Sequence, residues 1–334
     1  MKRHALALLF ALTVAARVRA AAPPVTLAFV GDVMLDAGPG RTIRAGSDPF
    51  ARVAAELASV DAAVANLECP VATTGAPADK IYTFRAEPAV VPVLARHFAA
   101  VSLANNHTGD YGSKALLETM ALMDAGGVPF FGAGRDLRAA HRALLVERHG
   151  IRIALLGYDE FQPRSFAAGS SWPGVAWSED EDVVRDIRAA RAEGADLVIP
   201  FMHWGWEYEP KPSARQQALA RRLIDAGADA VVGSHPHVTQ TAEYYRGRPV
   251  IYSLGNFVFD GFDAPEMRTG WILELELERT GATGFRTKVV RIDADGSPAL
   301  DPDAPSPCGE HGVVVPCAAV GALPSAAPAA PRPG

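Results

Sequence analysis

Asp32, Glu68, Asn106, His203, His235 and His237 offer, from scattered points of the chain, carboxylate, amide-oxygen and imidazole donors. That donor set suits a divalent metal such as Zn, Mn or Fe, and the lack of a cysteine cluster argues against a structural thiolate zinc site. His235 and His237 flank Pro236, which stiffens the loop that carries them. A divalent ion lowers the pKa of its water toward about 7 and makes hydroxide available at neutral pH, so such a site points to hydrolysis. One acid or histidine alone is an ordinary solvated or packed residue. The argument rests on where these residues recur.

They recur at the ends of apolar segments. Val25 to Val30 runs into Gly31-Asp32, Ala62 to Ala65 into Asn66-Leu67-Glu68, and Ala99 to Leu103 into Ala104-Asn105-Asn106-His107. Leu197 to Met202 delivers His203, and Ala230 to Val232 delivers Gly233-Ser234-His235-Pro236-His237. With Ile151 to Leu156 and Val250 to Leu254, these segments read as buried strands. Helical spacing lies between them in Phe50 to Ala58, Ala89 to Phe98, Ser113 to Ala125, Glu181 to Ala192 and Ala214 to Ala226. The last two stop at Gly194 and Gly227. Alternation of this kind predicts an α/β sheet covered by helices, and open α/β sheets place ligand sites at their strand ends. Trp271 to Leu277 then alternates in period two and is followed by Phe285 to Ile292, which predicts an antiparallel pair with one wet face.

The chain has 334 residues and a formal charge of −6. Residues 1–20 combine Lys2 and Arg3, an uncharged apolar run from Ala5 to Ala16, and small residues near Ala20, and they read as a secretory signal peptide. An uncleaved anchor is the other reading, but the run is shorter than the roughly 20 residues a span requires. Its removal takes Lys2, Arg3, Arg17 and Arg19 and no acid, which moves the charge to −10. An acidic chain argues against nucleic acid as a partner. A polyanion would need a local cation to be held. No second apolar stretch is long enough for a further membrane span. The expected division is a leader at 1–20, one domain at 21–295 and a Pro/Ala-rich tail at 296–334, with export to the periplasm, cell surface or medium. In an oxidising compartment Cys308 and Cys317 could bridge and leave Cys69 a buried thiol; three free thiols are the alternative.

Taken together, Gly31-Asp32-Val33-Met34-Leu35, Asn66-Leu67-Glu68, Ala104-Asn105-Asn106-His107, His203-Trp204-Gly205, Gly233-Ser234-His235-Pro236-His237 and Ser253-Leu254-Gly255-Asn256-Phe257 resemble the motifs of the CapA family. That family is named for a poly-gamma-glutamate capsule biosynthesis protein and is similar to the calcineurin-like metallophosphoesterases. The resemblance covers about residues 25 to 260. It implies a metallophosphatase-like double β-sheet sandwich flanked by helices and a site for two metals. Asp32 and His237 would serve one ion; Asn106, His203 and His235 would serve the other; Glu68 would bridge them. His107 would protonate the leaving group or stabilise the charged transition state, the alternative being that it only orients Asn106.

One position departs from the superfamily pattern. Met34 stands where a ligating His is usual, and a thioether is a poor ligand for such cations. A single ion or an unequal pair is therefore also expected. Trp204, Trp206, Glu207 and Tyr208 follow His203 and are candidates to line a substrate cleft, or else core and loop residues. Arg85 is a candidate anion clamp, or else a structural ion-pair residue. The expectation is a metal-dependent hydrolase acting with capsule machinery on a polyanionic envelope polymer or a phosphoester. The alternative is a non-catalytic polymer-binding or assembly factor that uses the same metal.

Overall fold

The computed structural model describes residues 23–161 and 163–317. The expected leader and the Pro/Ala-rich stretch from Leu323 lie outside the described residues.

The first sheet begins with β1 (Val25–Val33), β2 (Ala62–Leu67), β3 (Ala100–Ser102) and β4 (Phe130–Phe131), which pair in parallel and in sequence order. The chain then builds a second sheet from β5 (Leu144–Arg148), β6 (Ile151–Asp159), β7 (Leu197–His203), β8 (Val231–Ser234), β9 (Thr239–Tyr245) and β10 (Arg248–Leu254), in the order β9-β10-β8-β7-β6-β5. It returns to the first sheet through β11 (Asn256–Val258), β12 (Thr269–Glu278) and β13 (Gly281–Ile292). β12 lies antiparallel to β1, with Phe29 opposite Leu273, and β13 lies antiparallel to β12. The antiparallel pair expected from the period-two alternation is thus present, at the flank of the parallel strands.

Strand alternation sorts the core into layers. In β1, Val25, Leu27 and Phe29 face the second sheet and pack with Ile153, Leu155, Ile199 and Phe201. Ala28 and Val30 face the other way, toward Leu57, Leu94, Leu116 and Met120 on α2 (Ala54–Ala58), α3 (Val91–His97) and α4 (Gly112–Gly126). The outer face of the second sheet is covered by the short α5 (Leu137–Ala140) and by α6 (Asp180–Ala192) and α7 (Ala214–Ala226), through Ala140, Val183, Ile187, Leu219 and Leu223. The result is a mixed α/β fold, two sheets face to face with helices outside both.

Local chemistry explains the helix limits. Ser213 and Gln216 form a capping box at the start of α7, and Gly227 closes it in the left-handed region at φ 115°. The helix expected from Phe50 begins only at Ala54. Asp48 accepts from the Phe50 amide at 2.9 Å and Phe50 plugs the core against Phe98 and Phe257, which holds residues 49–53 in turns. The first helix, α1 (Ala37–Arg44), unexpected in a Gly- and Pro-containing stretch, is capped by the Asp36 side chain.

The assignment of residues from 296 onward to a tail is corrected by Pro298–Leu300, Pro307–Glu310 and Val313–Pro316, three further strands of the first sheet. Cys308 and Cys317 are bridged and close the last of these hairpins, while Cys69 is a buried free thiol.

The two sheets meet at a narrow backbone crossing. A Cβ on Gly31 would lie 1.8 Å from the Gly255 carbonyl oxygen, which accepts from the Asp32 amide at 3.1 Å. Gly31→Ala is therefore expected to lower stability by about 2–3 kcal/mol in urea unfolding, because backbone rather than a flexible side chain must move.

Candidate metal centre

Asp32, Glu68, Asn106, His203, His235 and His237 all stand at or just beyond the carboxyl ends of β1, β2, β3, β7 and β8, and all are buried. The fold brings these residues together. Glu68, His203 and His235 each offer a donor atom within 4.8 Å of the others, and so do Asp32, Glu68 and His237, so Glu68 is common to both groups. His203 Nε2 lies 3.7 Å from Glu68 Oε1, 2.8 Å from Asn106 Oδ1 and 3.1 Å from His235 Nδ1. His237 Nδ1 lies 3.5 Å from Asp32 Oδ2, and its Nε2 lies 4.0 Å from Glu68 Oε1.

Backbone strain helps aim the histidines. His235 and His237 adopt φ values of 100° and 58°, uncommon for residues with a Cβ. The loop between them is held by the Pro236 carbonyl, which accepts from the Tyr208 amide at 2.8 Å.

A chain of amides orients Asp32. Asn105 Oδ1 accepts from the backbone N–H groups of His107 and Thr108 at 3.1 and 3.0 Å, which fixes which end of that amide faces which way. Asn105 Nδ2 then donates to Asn66 Oδ1 at 3.0 Å, and Asn66 Nδ2 donates to Asp32 Oδ1 at 2.8 Å. Neither asparagine was singled out from sequence, although both lie in the motifs.

The residues fit a divalent cation on two grounds. Both carboxylate oxygens of Glu68, and Nε2 of His235, are buried without a hydrogen-bond partner among the described residues, a costly state unless something else satisfies them. The donor set of carboxylate, amide oxygen and neutral imidazole is the one such ions take. Burial and the nearby Asp32 push the Glu68 carboxyl well above its ordinary range. Burial and neighbouring histidines hold His203 and His235 well below theirs, in the neutral, ligating form.

His107 stands beside this cluster as half of a pair. Its Nδ1 donates to Asp110 Oδ2 at 2.7 Å, and Asp110, fully buried, also accepts from Lys80 Nζ at 2.6 Å and from the Phe84 amide at 2.8 Å. Burial lowers the His107 pKa against the opposing pull of Asp110. Phe161, just past the end of β6, packs its ring 4.0 Å from that of His235. Asp159, fully buried at the end of the same strand, is pushed up to about 8 by desolvation.

The remaining expected site residues divide. Trp204 is a core residue: it is fully buried, packs against Tyr252 and donates its indole N–H to the Tyr252 carbonyl at 2.9 Å. Tyr208 is half exposed with its ring 6.3 Å from that of His237, Trp206 is exposed, and the charge of Glu207 adds to the upward shift of Glu68. Arg85 stacks its guanidinium on Tyr111 at 4.2 Å and touches none of the clustered residues. Met34 is buried, and its sulfur accepts from the Asp36 amide at 3.2 Å. A cavity of about 720 Å³ between α4 and β5 touches none of the cluster, whereas one of about 500 Å³ includes Asn106.

A sequence profile of the family described as bacterial capsule synthesis protein PGA_cap matches residues 26–261, which run from β1 past β11. The chain belongs to this family. Capsule biosynthesis protein CapA of Bacillus anthracis is 35% identical over 249 residues, 70% of this chain and 60% of that protein. PGA biosynthesis protein CapA of Bacillus subtilis is 34% identical over 275 residues, 79% of this chain and 70% of that protein. The chain thus spans well under the full length of these relatives. Among solved structures, the NAD nucleotidase of Haemophilus influenzae aligns at 14% identity and a TM-score of 0.47, over 84% of this chain and 54% of that one.

Glu68 provides a direct test of the cluster. With its carboxyl held well above 4.5 by burial, the folded metal-free protein keeps a proton that the unfolded chain releases, so this group's contribution to stability falls as pH rises above that value. In chelator, Glu68→Gln is expected to melt above the wild type, with the gap widening from pH 5 to pH 7. The gain in melting temperature that Mn²⁺ gives the wild type is expected to shrink in the variant. Scanning calorimetry at two pH values, with and without metal, reads both.

Proposed function

We propose that this protein is an exported, metal-dependent hydrolase of capsule or envelope polymer biosynthesis, with poly-gamma-glutamate as its substrate class. The observation that carries the reading is Glu68, a buried carboxylate with no partner among the described residues, shared by two sets of donors. The names of the relatives, capsule biosynthesis and PGA biosynthesis proteins, support the polymer and a place in its synthetic machinery. The apolar leader and the Cys308–Cys317 bridge support export, since disulfides persist in oxidising compartments.

Asn106, His203 and His235 would hold one ion, Asp32 and His237 the other, with Glu68 between. When bound, the metal supplies Lewis-acid charge and a water acidified enough to act near neutral pH. The chain's own residues do the rest. Asn105 and Asn66 hold the Asp32 carboxylate in one orientation. Asp110 takes the Nδ1 proton of His107 into a hydrogen bond and would stabilise its imidazolium, leaving Nε2 to hand a proton to the departing group. Tyr208 beside His237, Trp206 against the Phe161 ring that packs on His235, and Glu207, whose charge acts on Glu68, would form the wall against which a chain lies.

A second reading is favoured by Met34. With no imidazole at that position, the Asp32 side holds fewer donors, and a protein of this build could use its metal to grip polymer carboxylates without cleaving them.

Turnover of a gamma-linked glutamate polymer or a phosphoester is expected only with divalent metal. His107→Ala is expected to lower kcat by about 10²-fold or more while the metal content of the purified protein stays at the wild-type level. Metal-dependent polymer binding with no product from the wild type would replace the hydrolase reading with the binding one.

A further inference from the structure

Loop 72–86 crosses over the segment that carries Asn106 and His107, and its anchor is Asp110. The Ala78 amide donates to the Asp110 carbonyl at 2.7 Å, the Phe84 amide to its carboxylate, and Lys80 Nζ to both the carboxylate and the Asn106 carbonyl, the last at 3.0 Å. Lys80 is partly exposed, and it lines the cavity of about 500 Å³ together with Asp79, Asn106, Gly109, Ser165 and Phe166. That volume suits one or two residues of a chain. Asn106 connects it to the metal cluster, since its backbone carbonyl meets Lys80 and its side-chain oxygen meets His203.

We propose that this cavity is a subsite for a carboxylate of the polymer, beside the unit whose bond lies at the metal cluster, and that Lys80 is the cation that recognises it. The assignment rests on the polymer reading above. An ammonium carries three donors, and Asp110 and Asn106 take two of Lys80's, which leaves one for a ligand. Lys80 is the basic residue of the cavity wall, in a protein whose overall charge is negative and repels a polyanion at longer range. Phe166 closes one side against Gly109, where a Cβ would meet the ring at 2.4 Å.

Binding of a fluorescent gamma-linked glutamate oligomer, and of its methyl ester, to the Mn²⁺-loaded protein tests this. Lys80→Met is expected to weaken the acidic oligomer about tenfold or more without reducing bound metal. Because Lys80 also neutralises buried Asp110, that variant could simply lose its fold, and Ser165 provides an independent arm. Ser165 is exposed on the cavity wall and makes no hydrogen bond to Asp110 among the described residues, so Ser165→Glu is expected to weaken the oligomer and Ser165→Lys to strengthen it, each about threefold. The methyl ester should bind more weakly to the wild type and respond to none of the variants. Tight binding of the acidic oligomer that is indifferent to the charge at Ser165, or equal binding of acid and ester, overturns the Lys80 assignment alone. A metal-loaded wild type that binds neither oligomer overturns the polymer reading, and the assignment with it.

Discussion

A buried carboxylate, Glu68, with no hydrogen-bond partner among the described residues dominates the centre of this molecule. Isolated ionised groups in a protein interior cost several kcal/mol, and they persist only when paired, neutralised or bound to a cation. Glu68 is held there because β2 ends at Leu67 and the next residue projects between the two sheets. Around it the fold gathers more of the same difficulty, in buried Asp32 and His237 and in His203 and His235, which burial keeps neutral. The arrangement makes little sense as packing. It is coherent as a preformed electrostatic hole that a positive charge would fill.

The surrounding structure holds that hole open. Parallel strands from both sheets point their carboxyl ends at it, so each ligand candidate rides on a rigid element, and the strained His235-Pro236-His237 turn is clamped by the Tyr208 amide. The asparagine chain from the backbone at His107 to Asp32 ties the third motif to the first. Movement of the His107 loop would therefore be felt at Asp32. This gives a physical reason for consecutive asparagines after β3: Asn106 faces the cluster, while Asn105 keeps the neighbouring carboxylate aimed.

Much of this was legible in the sequence because strand ends have a plain signature, an apolar run closed by a polar residue. Six donors could be read that way, and the structure brings them together. The neighbours were harder. Trp204 looked like cleft lining because it adjoins His203, but successive strand residues face opposite sides, and the side away from the cluster is the core packed by Tyr252. Asp110 has a local signal in its spacing of three from His107, whereas Lys80 reaches the site only because a long irregular loop folds back over it. Residues 298–316 read as tail in sequence because three- and four-residue strands containing proline and glycine carry no periodicity; pairing with β13 and with each other, and a disulfide, hold them instead.

The position of β1 has a kinetic consequence. The first strand of the described chain sits in the middle of its sheet, with Val25 opposite Leu277, so its antiparallel neighbour comes some 250 residues later. Such long-range pairing pays a large loop-closure entropy before any contact compensates it, and it slows folding. The central sheet cannot close until β12 has been made, and the candidate metal cluster, whose residues run from Asp32 to His237, cannot form by halves. Assembly of the cluster is then a late event, and a product cut short before His235 would lack donors from both groups.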